Sequence, residues 1–355
     1  MINQTKKLVH KLTLMFDLFG ALLINFCYLL LMRDKNNRKN YILAYAPYKN
    51  NPWILNKIFF DLKSSSNKRE NYKVFYSLFS LSIFKFKNGG NILSMHQSNI
   101  EKLFLAGFKL SDISTYYTHT RINQKGIKHI SKLKNIFCQN NYEYALLKSN
   151  DIPKERIISF PVGLHPNFLV KNENLKNIKD REFDVLFCLR YIMNNNHYSS
   201  RKRYNFIIQL SNILAKSNFK VCIMGDGWNQ IRSYISKEVF LVSPPYKDYR
   251  LIYQNSKIYC NPSLVEGGPI SLAEAFSSGC LICTTPVGLS FNLCIDDDFS
   301  FLIPFEKEEN YWKKNIVKLL SNNIYDSSII LKSRNEKIQK SLFKNLSKKL
   351  EENLI

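Results

Sequence analysis

The sequence predicts an α/β protein of two similarly built domains, each with a parallel sheet, behind an apolar amino-terminal helix. Three observations carry this. Short apolar runs of strand length alternate with longer amphipathic runs along most of the chain, the pattern of β–α–β units. The pattern restarts after Pro161-Val162-Gly163. The 355 residues, 45% of them hydrophobic, exceed the ~100–200 of an ordinary single domain and suffice for two cores. With only 12 Gly and 11 Pro, collagen-like repeats, low-complexity disorder and a Pro-rich linker are excluded.

Residues 12–32 form an apolar run of 21 residues with Lys6, Lys7 and Lys11 before it and Arg33, Lys35, Arg38 and Lys39 after it. At about 1.5 Å per residue it could cross the ~30 Å core of a bilayer. Thr13, Asp17, Ala21 and Asn25 recur every fourth residue as a weakly polar stripe, and an Asp in lipid costs ~2.5–3.5 kcal/mol. The run therefore reads as a helix lying in or on a membrane surface, with a span or a buried structural helix as alternatives. No small-x-small cleavage site follows it, which argues against a secretory leader.

Next come strands at 41–46, 72–76, 91–95, 114–118 and 135–138, with a helix at 53–62 and a turn at Asn88-Gly89-Gly90. After residue 163 come strands at 183–189, 220–224, 239–242 and 258–261 and helices at 203–216 and 249–256. The tail from Asn310 is helical, and Ile338, Leu342, Phe343, Leu346, Leu350 and Leu354 make one apolar face. The expected division is 1–38 as a membrane-associating helix, 39–162 and 163–335 as two domains, and 336–355 as a helix packing back across them.

The eight cysteines are scattered, and only Cys280 and Cys283 are spaced as C-x-x-C. They lie in a strand-like stretch where positions three apart face opposite ways, so a zinc or redox role is not expected and the interior reads as reduced and cytoplasmic. The chain carries 51 Lys and Arg against 28 Asp and Glu, and residues 1–150 hold 23 of the former and 7 of the latter. Such a field attracts nucleic acid, anionic lipid or polyanionic substrates, although a composition rich in Lys, Asn and Ile accounts for part of it.

Chemistry concentrates in residues 261–288, NPSLVEGGPISLAEAFSSGCLICTTPVG. A strand ends, the loop Glu266-Gly267-Gly268-Pro269 turns into a helix, Gly279 closes that helix in a left-handed conformation, and a second strand runs to Pro286-Val287-Gly288. Glycines let backbone approach a ligand closely, and bare N–H groups at a helix start beyond strand ends form a site for anions. Glu266 and Glu274 stand eight residues apart, and a carboxylate bridges vicinal hydroxyls well. Two of them suit a ligand with both a ribose and a sugar; a helix-start and a surface glutamate would be the plain alternative.

The run E-G-G-P-x-x-x-x-E-A-x-x-x-G resembles the E-x7-E signature of retaining glycosyltransferases of the GT-B fold, family four (glycosyl transferases group 1). The resemblance covers roughly residues 90–305. It implies two Rossmann-like domains with a cleft between them, and a crossover at residues 152–166. By that resemblance Arg190, ending Leu186-Phe187-Cys188-Leu189-Arg190, and Lys202 would neutralise the leaving diphosphate. Their spacing of 12 exceeds the family's few residues, so Arg201 or Arg203 could replace Lys202. The resemblance further implies Glu274 on the ribose, Glu266 on the transferred sugar, and Gly267, Gly268, Pro269, Ile270 and Ser271 along sugar and diphosphate. Gly225 and Trp228, in Gly225-Asp226-Gly227-Trp228, would flank the base.

His119, in Tyr116-Tyr117-Thr118-His119-Thr120, resembles the family's T-x-H segment near the reacting sugar; His96 ends the preceding strand. Asp296-Asp297-Asp298 invites a metal reading, but the family has a solvent-facing turn there. No metal or other cofactor is expected.

The function implied is transfer, with retention, from a nucleotide-diphosphate sugar to a lipid-linked or surface-polysaccharide acceptor, in bacterial lipopolysaccharide, capsule or O-antigen synthesis. The enzyme would be peripheral to the inner face of the plasma membrane, in contact with anionic lipid and with no nucleic acid. The rivals are a GT-B sugar-nucleotide epimerase and a non-catalytic basic protein binding anionic lipid or nucleic acid.

Overall fold

The computed structural model describes residues 2–31, 40–46, 54–117, 129–169, 176–321 and 326–355. Two compact units divide the chain. The first comprises Met1–Cys138, Glu143–Phe160 and Phe343–Ile355, and the second Gln139–Tyr142 and Pro161–Leu342. The amino-terminal helix thus belongs to the first unit rather than standing apart from it. The tail is divided at residue 342 instead of 336.

In the first unit α1 (Ile2–Leu31) precedes β1 (Ile42–Tyr45), α2 (Ile54–Ser65), β2 (Tyr72–Phe75), α3 (Leu78–Asn88), β3 (Asn91–Ser94), α4 (Ile100–Leu105), β4 (Ile113–Tyr117), β5 (Ile136–Cys138), α5 (Asn141–Ser149) and β6 (Ile157–Ser159). All six strands are parallel, in the order β2-β1-β3-β4-β5-β6. Their near-continuous apolar sequences suit a sheet covered on both faces, and Leu43, Ile92, Ile113 and Ile136 are fully buried. Helices α3, α4 and α5 and strand β6 were not legible in the sequence; β6 lies in the stretch read as a connection. His119 lies outside the described residues.

Helix α1 docks onto α3 and α4. The Asp17 carboxylate accepts hydrogen bonds from Ser77 Oγ (2.6 Å) and from the amides of Leu78 (2.9 Å) and Phe79 (3.0 Å), capping the amino terminus of α3. Asn25 Nδ2 donates to Ser82 Oγ and to the Ala106 carbonyl, at 3.2 and 2.8 Å, and Ala21 is fully buried. The polar stripe is therefore the inward face, and each of its costly groups is satisfied by protein. Among the described residues no helix is long and apolar enough to cross a membrane.

The second unit runs β7 (Phe183–Cys188), α6 (Asn196–Lys202), α7 (Tyr204–Ala215), β8 (Val221–Met224), β9 (Phe240–Val242), α8 (Tyr249–Gln254), β10 (Ser256–Asn261), α9 (Ile270–Ser277), β11 (Leu281–Thr284), α10 (Ser290–Leu293), β12 (Ser300–Leu302), α11 (Glu309–Ser321) and α12 (Ser327–Ser341). The sheet is again parallel, ordered β12-β11-β10-β7-β8-β9. From β7 the chain winds outward through β8 and β9, then returns to β10 on the other flank. Such a reversal leaves a crevice beyond the strand ends where ligands bind in sheets of this kind. The chain then re-enters the first unit as α13 (Phe343–Leu354).

Candidate donor site

The loops that leave β7 and β8 are laced together. The Tyr191 amide donates to the Asp226 carbonyl at 2.8 Å, and the Leu189 amide to the Met224 carbonyl at 2.9 Å. Gly225 has φ +136°, and a Cβ there would run into the Leu189 carbonyl, so only glycine permits this crossing. Arg190 emerges at the strand end with its side chain 57% exposed, 3.9 Å from the Asp226 carboxylate.

Trp228 is not presented to a ligand. Its ring is buried against Tyr191 and Tyr204, and its Nε1 donates to the Leu189 carbonyl at 2.8 Å. Its ring fills the core and its indole N–H holds the β7 loop.

The residues between Arg190 and Lys202, an insertion by family spacing, fold largely into α6. Arg203 follows in the left-handed region at φ +55° and separates α6 from α7. This geometry distinguishes the three basic neighbours. Lys202 Nζ donates to Glu266 Oε1. Arg203 turns away, over the Phe206 ring and toward the Phe305 carbonyl. Arg201 lies over Tyr198 and accepts the Leu264 amide on its carbonyl. Lys202 and Glu266, 64 positions apart, are thus brought together. Burial pushes the Glu266 carboxyl up, but the Lys202 charge and hydrogen bond, with Arg201 and Ser263, outweigh it and hold Glu266 below the usual carboxylate range.

The Glu266-Gly267-Gly268-Pro269 loop is fixed by backbone contacts. Asn140 Nδ2, buried, donates to the Gly267 carbonyl at 2.8 Å. A Cβ at Gly268 would meet Val162, and one at Gly288 would meet the Gly267 carbonyl, so side chains are excluded from both sides of the loop. Pro269 stands just before α9, and Ile270 and Ser271 open it. Their amides have no preceding turn to bond, which leaves donors at the helix start. Ser271 Oγ shares a 2.7 Å hydrogen bond with Tyr259 Oη. Gly279 closes the helix at φ +70°, as expected.

Glu274, buried on α9, is held by two tyrosines. Tyr253 Oη donates to its Oε2 at 2.9 Å and Tyr246 Oη to its Oε1. Burial, the Cys188 thiol and Glu274 together push the Tyr253 phenol well up, so it remains a donor; burial and Glu274 likewise push the Cys188 thiol up to about 12. Asn140, Tyr246 and Tyr253 carry no motif. They act across 127, 28 and 21 positions, separations that no local pattern reveals.

Asp297 does not face solvent. It pairs with Arg334 at 2.8 Å, both side chains nearly fully buried, and Arg334 also donates to the carbonyls of Phe276 (3.2 Å) and Cys280 (2.7 Å) at the end of α9. Arg181, equally buried, donates to the Ser278 carbonyl at 3.1 Å. Two guanidinium groups therefore complement the carbonyl end of the helix whose other end faces the crevice.

Residues 190–322 match the family described as Glycosyl transferases group 1. Solved structures with similar folds include TarM of S. aureus, in complex with fondaparinux, α-GlcNAc-glycerol and UDP, at 17% identity and a TM-score of 0.54, covering 75% of this chain and 55% of TarM. HepE of Anabaena, in complex with UDP and glucose, matches at 12% identity and a TM-score of 0.63, covering 88% of this chain and 99% of HepE. A glycosyltransferase of Rickettsia africae matches at 14% and 0.65, covering 89% and 98%. The fold is GT-B.

No curated protein matches the chain. In this GT-B chain the family match begins at Arg190 and takes in Lys202, Glu266, Glu274 and the Gly288 turn, the residues whose contacts build the site. Together the family match and the fold support a glycosyltransferase of GT-B type.

Proposed function

We propose that the protein is a retaining glycosyltransferase of family four that moves a hexose-type sugar from a nucleotide-diphosphate sugar to a lipid-linked or surface-polysaccharide acceptor. The single observation that carries this reading is the placement of Arg190 and Lys202 after β7 and of Glu266, the partner of Lys202, and the tyrosine-held Glu274 after β10, the two neighbouring strands at which the strand order reverses. Each group has a task there. Glu274 accepts hydrogen bonds from the ribose hydroxyls, and the amides at the start of α9 meet the sugar and diphosphate. Lys202 and Arg190 neutralise charge that grows on the leaving diphosphate. Glu266 accepts from hydroxyls of the transferred sugar. Donor binding then gives Lys202 a phosphate and Glu266 a hydroxyl in place of one another. With two cations on the diphosphate the reaction is proposed to need no metal, and transfer in chelator is its test.

His119 belongs to this reading as a residue near the reacting sugar. Lipopolysaccharide, capsule or O-antigen synthesis at the cytoplasmic face of the plasma membrane, with peripheral contact to anionic lipid, completes it. The UDP in the TarM and HepE structures makes UDP-sugars the first donors to try.

The decisive experiment is thermal stabilisation by a panel of nucleotide diphosphates and nucleotide sugars, for the native chain and for Glu274→Ala. One nucleotide class should raise the melting temperature of the native chain and leave the variant unmoved. No shift with any donor in a folded protein refutes the reading. The anomeric configuration of the product, read by NMR, tests retention.

A further inference from the structure

Helix α1 presents two faces of opposite character. The inward one carries Asp17, Ala21 and Asn25, all used in docking onto α3 and the end of α4. The outward one carries Met15, Phe16, Phe19, Leu23 and Phe26 at helical spacing, with Phe16 75% and Phe19 68% exposed. The strip widens at both sides. Phe79 of α3 lies against Gly20, and the Ala106-Gly107 turn, just after the exposed Phe104 and Leu105, lies against Leu22 and Asn25. Isolated exposed apolar residues are ordinary on a protein surface; a continuous strip of large ones marks a binding face.

We infer that this strip is a membrane-docking face, seated in the headgroup and upper acyl region of an anionic bilayer, with α1 lying flat and held to the protein by Asp17 and Asn25. Charge complementarity selects the occupant. Exposed Lys11, Lys87, Lys102 and Lys109 lie on or beside the three elements that form the strip, and residues 1–150 hold 23 basic against 7 acidic residues. Exposed lysines on or beside the elements that carry the large apolar side chains fit an anionic lipid surface, where the cations meet headgroups and the aromatic rings enter the acyl boundary. A second copy of this chain would set the same lysines against one another. The docked polar stripe also explains why α1 lies on the membrane and does not cross it, because leaving the protein would strip Asp17 and Asn25 of their partners.

This sharpens the membrane contact proposed above and rests on that reading for its biology. Its test leaves the donor site intact, so that either can fail alone. The full chain is floated with vesicles of phosphatidylcholine, and of phosphatidylcholine with about one-third phosphatidylglycerol. The native chain should float with the anionic vesicles, less with the neutral ones, and less again at high salt. Phe16→Gln/Phe19→Gln/Leu23→Gln should lower the bound fraction at least about tenfold while melting no lower than the native chain, since only outward side chains change. Lys102→Glu/Lys109→Glu, which leaves α1 untouched, should remove the preference for anionic vesicles. The inference is overturned if the native chain floats with neither vesicle or if the triple variant floats like the native chain. It is equally overturned if light scattering shows a native dimer that the triple variant loses without any lipid binding.

Discussion

At the scale of single residues the site depends on which partner each carboxylate keeps. Glu266 is buried, so removing Lys202 leaves an uncompensated charge, and Lys202→Met should destabilise the second unit by ~3 kcal/mol at neutral pH, read from urea unfolding. The sign of its pH dependence follows from the depressed Glu266 value. In the native chain the folded state binds fewer protons than the unfolded state near the ordinary value of 4.5, so the pair's contribution is complete above that pH and is lost as pH falls through the folded value. Without Lys202 the buried carboxyl is pushed the other way, and protonation relieves it. The stability gap between native and variant should therefore narrow as pH drops toward and below ~4.5; a gap constant from pH 7 to 4 contradicts the pairing. The two tyrosines on Glu274 differ in the same physical sense. Tyr253 is fully buried against Phe168 and Tyr259, whereas Tyr246, which packs on Phe168 and Tyr249, is 38% exposed and can be reached by a ribose. Tyr253→Phe should weaken nucleotide binding about tenfold in titration calorimetry, the worth of one lost hydrogen bond to a buried charged group, and Tyr246→Phe should not weaken it.

At the scale of elements, α9 is the part everything else aims. Its short length gives it little stability of its own, and its carbonyl end is tied by Arg181 and Arg334 instead of by water. Arg334→Met strands the Asp297 carboxylate in the core and should cost ~3–5 kcal/mol, while Arg334→Met/Asp297→Asn should recover part of that loss, a coupling that a double-mutant cycle in urea measures. The sequence displayed the front of this element and not its back. Glu266, Gly268, Pro269 and Gly279 stand within one continuous stretch, where turn chemistry and helix start and stop signals are local and readable. Arg334 and Arg181 reach α9 from distant positions, and nothing in a lone arginine announces burial. The acidic triplet misled for the same reason, since a carboxylate's partner decides whether it faces solvent. Most strands, though not the three-residue β6 and β12, were legible because their apolar runs are bounded by turns; α3 was not, because Leu78, Leu81 and Ser82 bury only a narrow edge and the pattern lacks a marked period. The stripe on α1 was visible, but its direction was not, because satisfying Asp17 required the amino terminus of α3.

At the scale of the molecule, the chain passes between its units at residues 138/139, 142/143, 160/161 and 342/343, so neither unit is one continuous segment. The last crossing makes the carboxyl-terminal helix a structural part of the unit that begins the chain. Phe343, Leu346, Leu350 and Leu354 of α13 are buried there, the helix packs on α2, and Glu351 accepts hydrogen bonds from Ser66 Oγ and Tyr72 Oη. Burying four such side chains is worth ~1.5–3 kcal/mol each as an upper bound, about 6–12 kcal/mol together. A whole domain is stable by only about 5–15 kcal/mol, so this one helix carries a large share of the first unit's margin. Deleting residues 343–355 should unfold the first unit, or lower its melting temperature severely, and leave the second unit folded, since none of the deleted residues belongs to it. Calorimetry should then show a single remaining transition, and that transition should still rise with the nucleotide that stabilises the native chain. If both units melt together at the native temperature, α13 is not the support described. If the remaining transition no longer responds to nucleotide, the donor site needs more of the chain than Arg190, Lys202, Glu266, Glu274 and their supporting side chains.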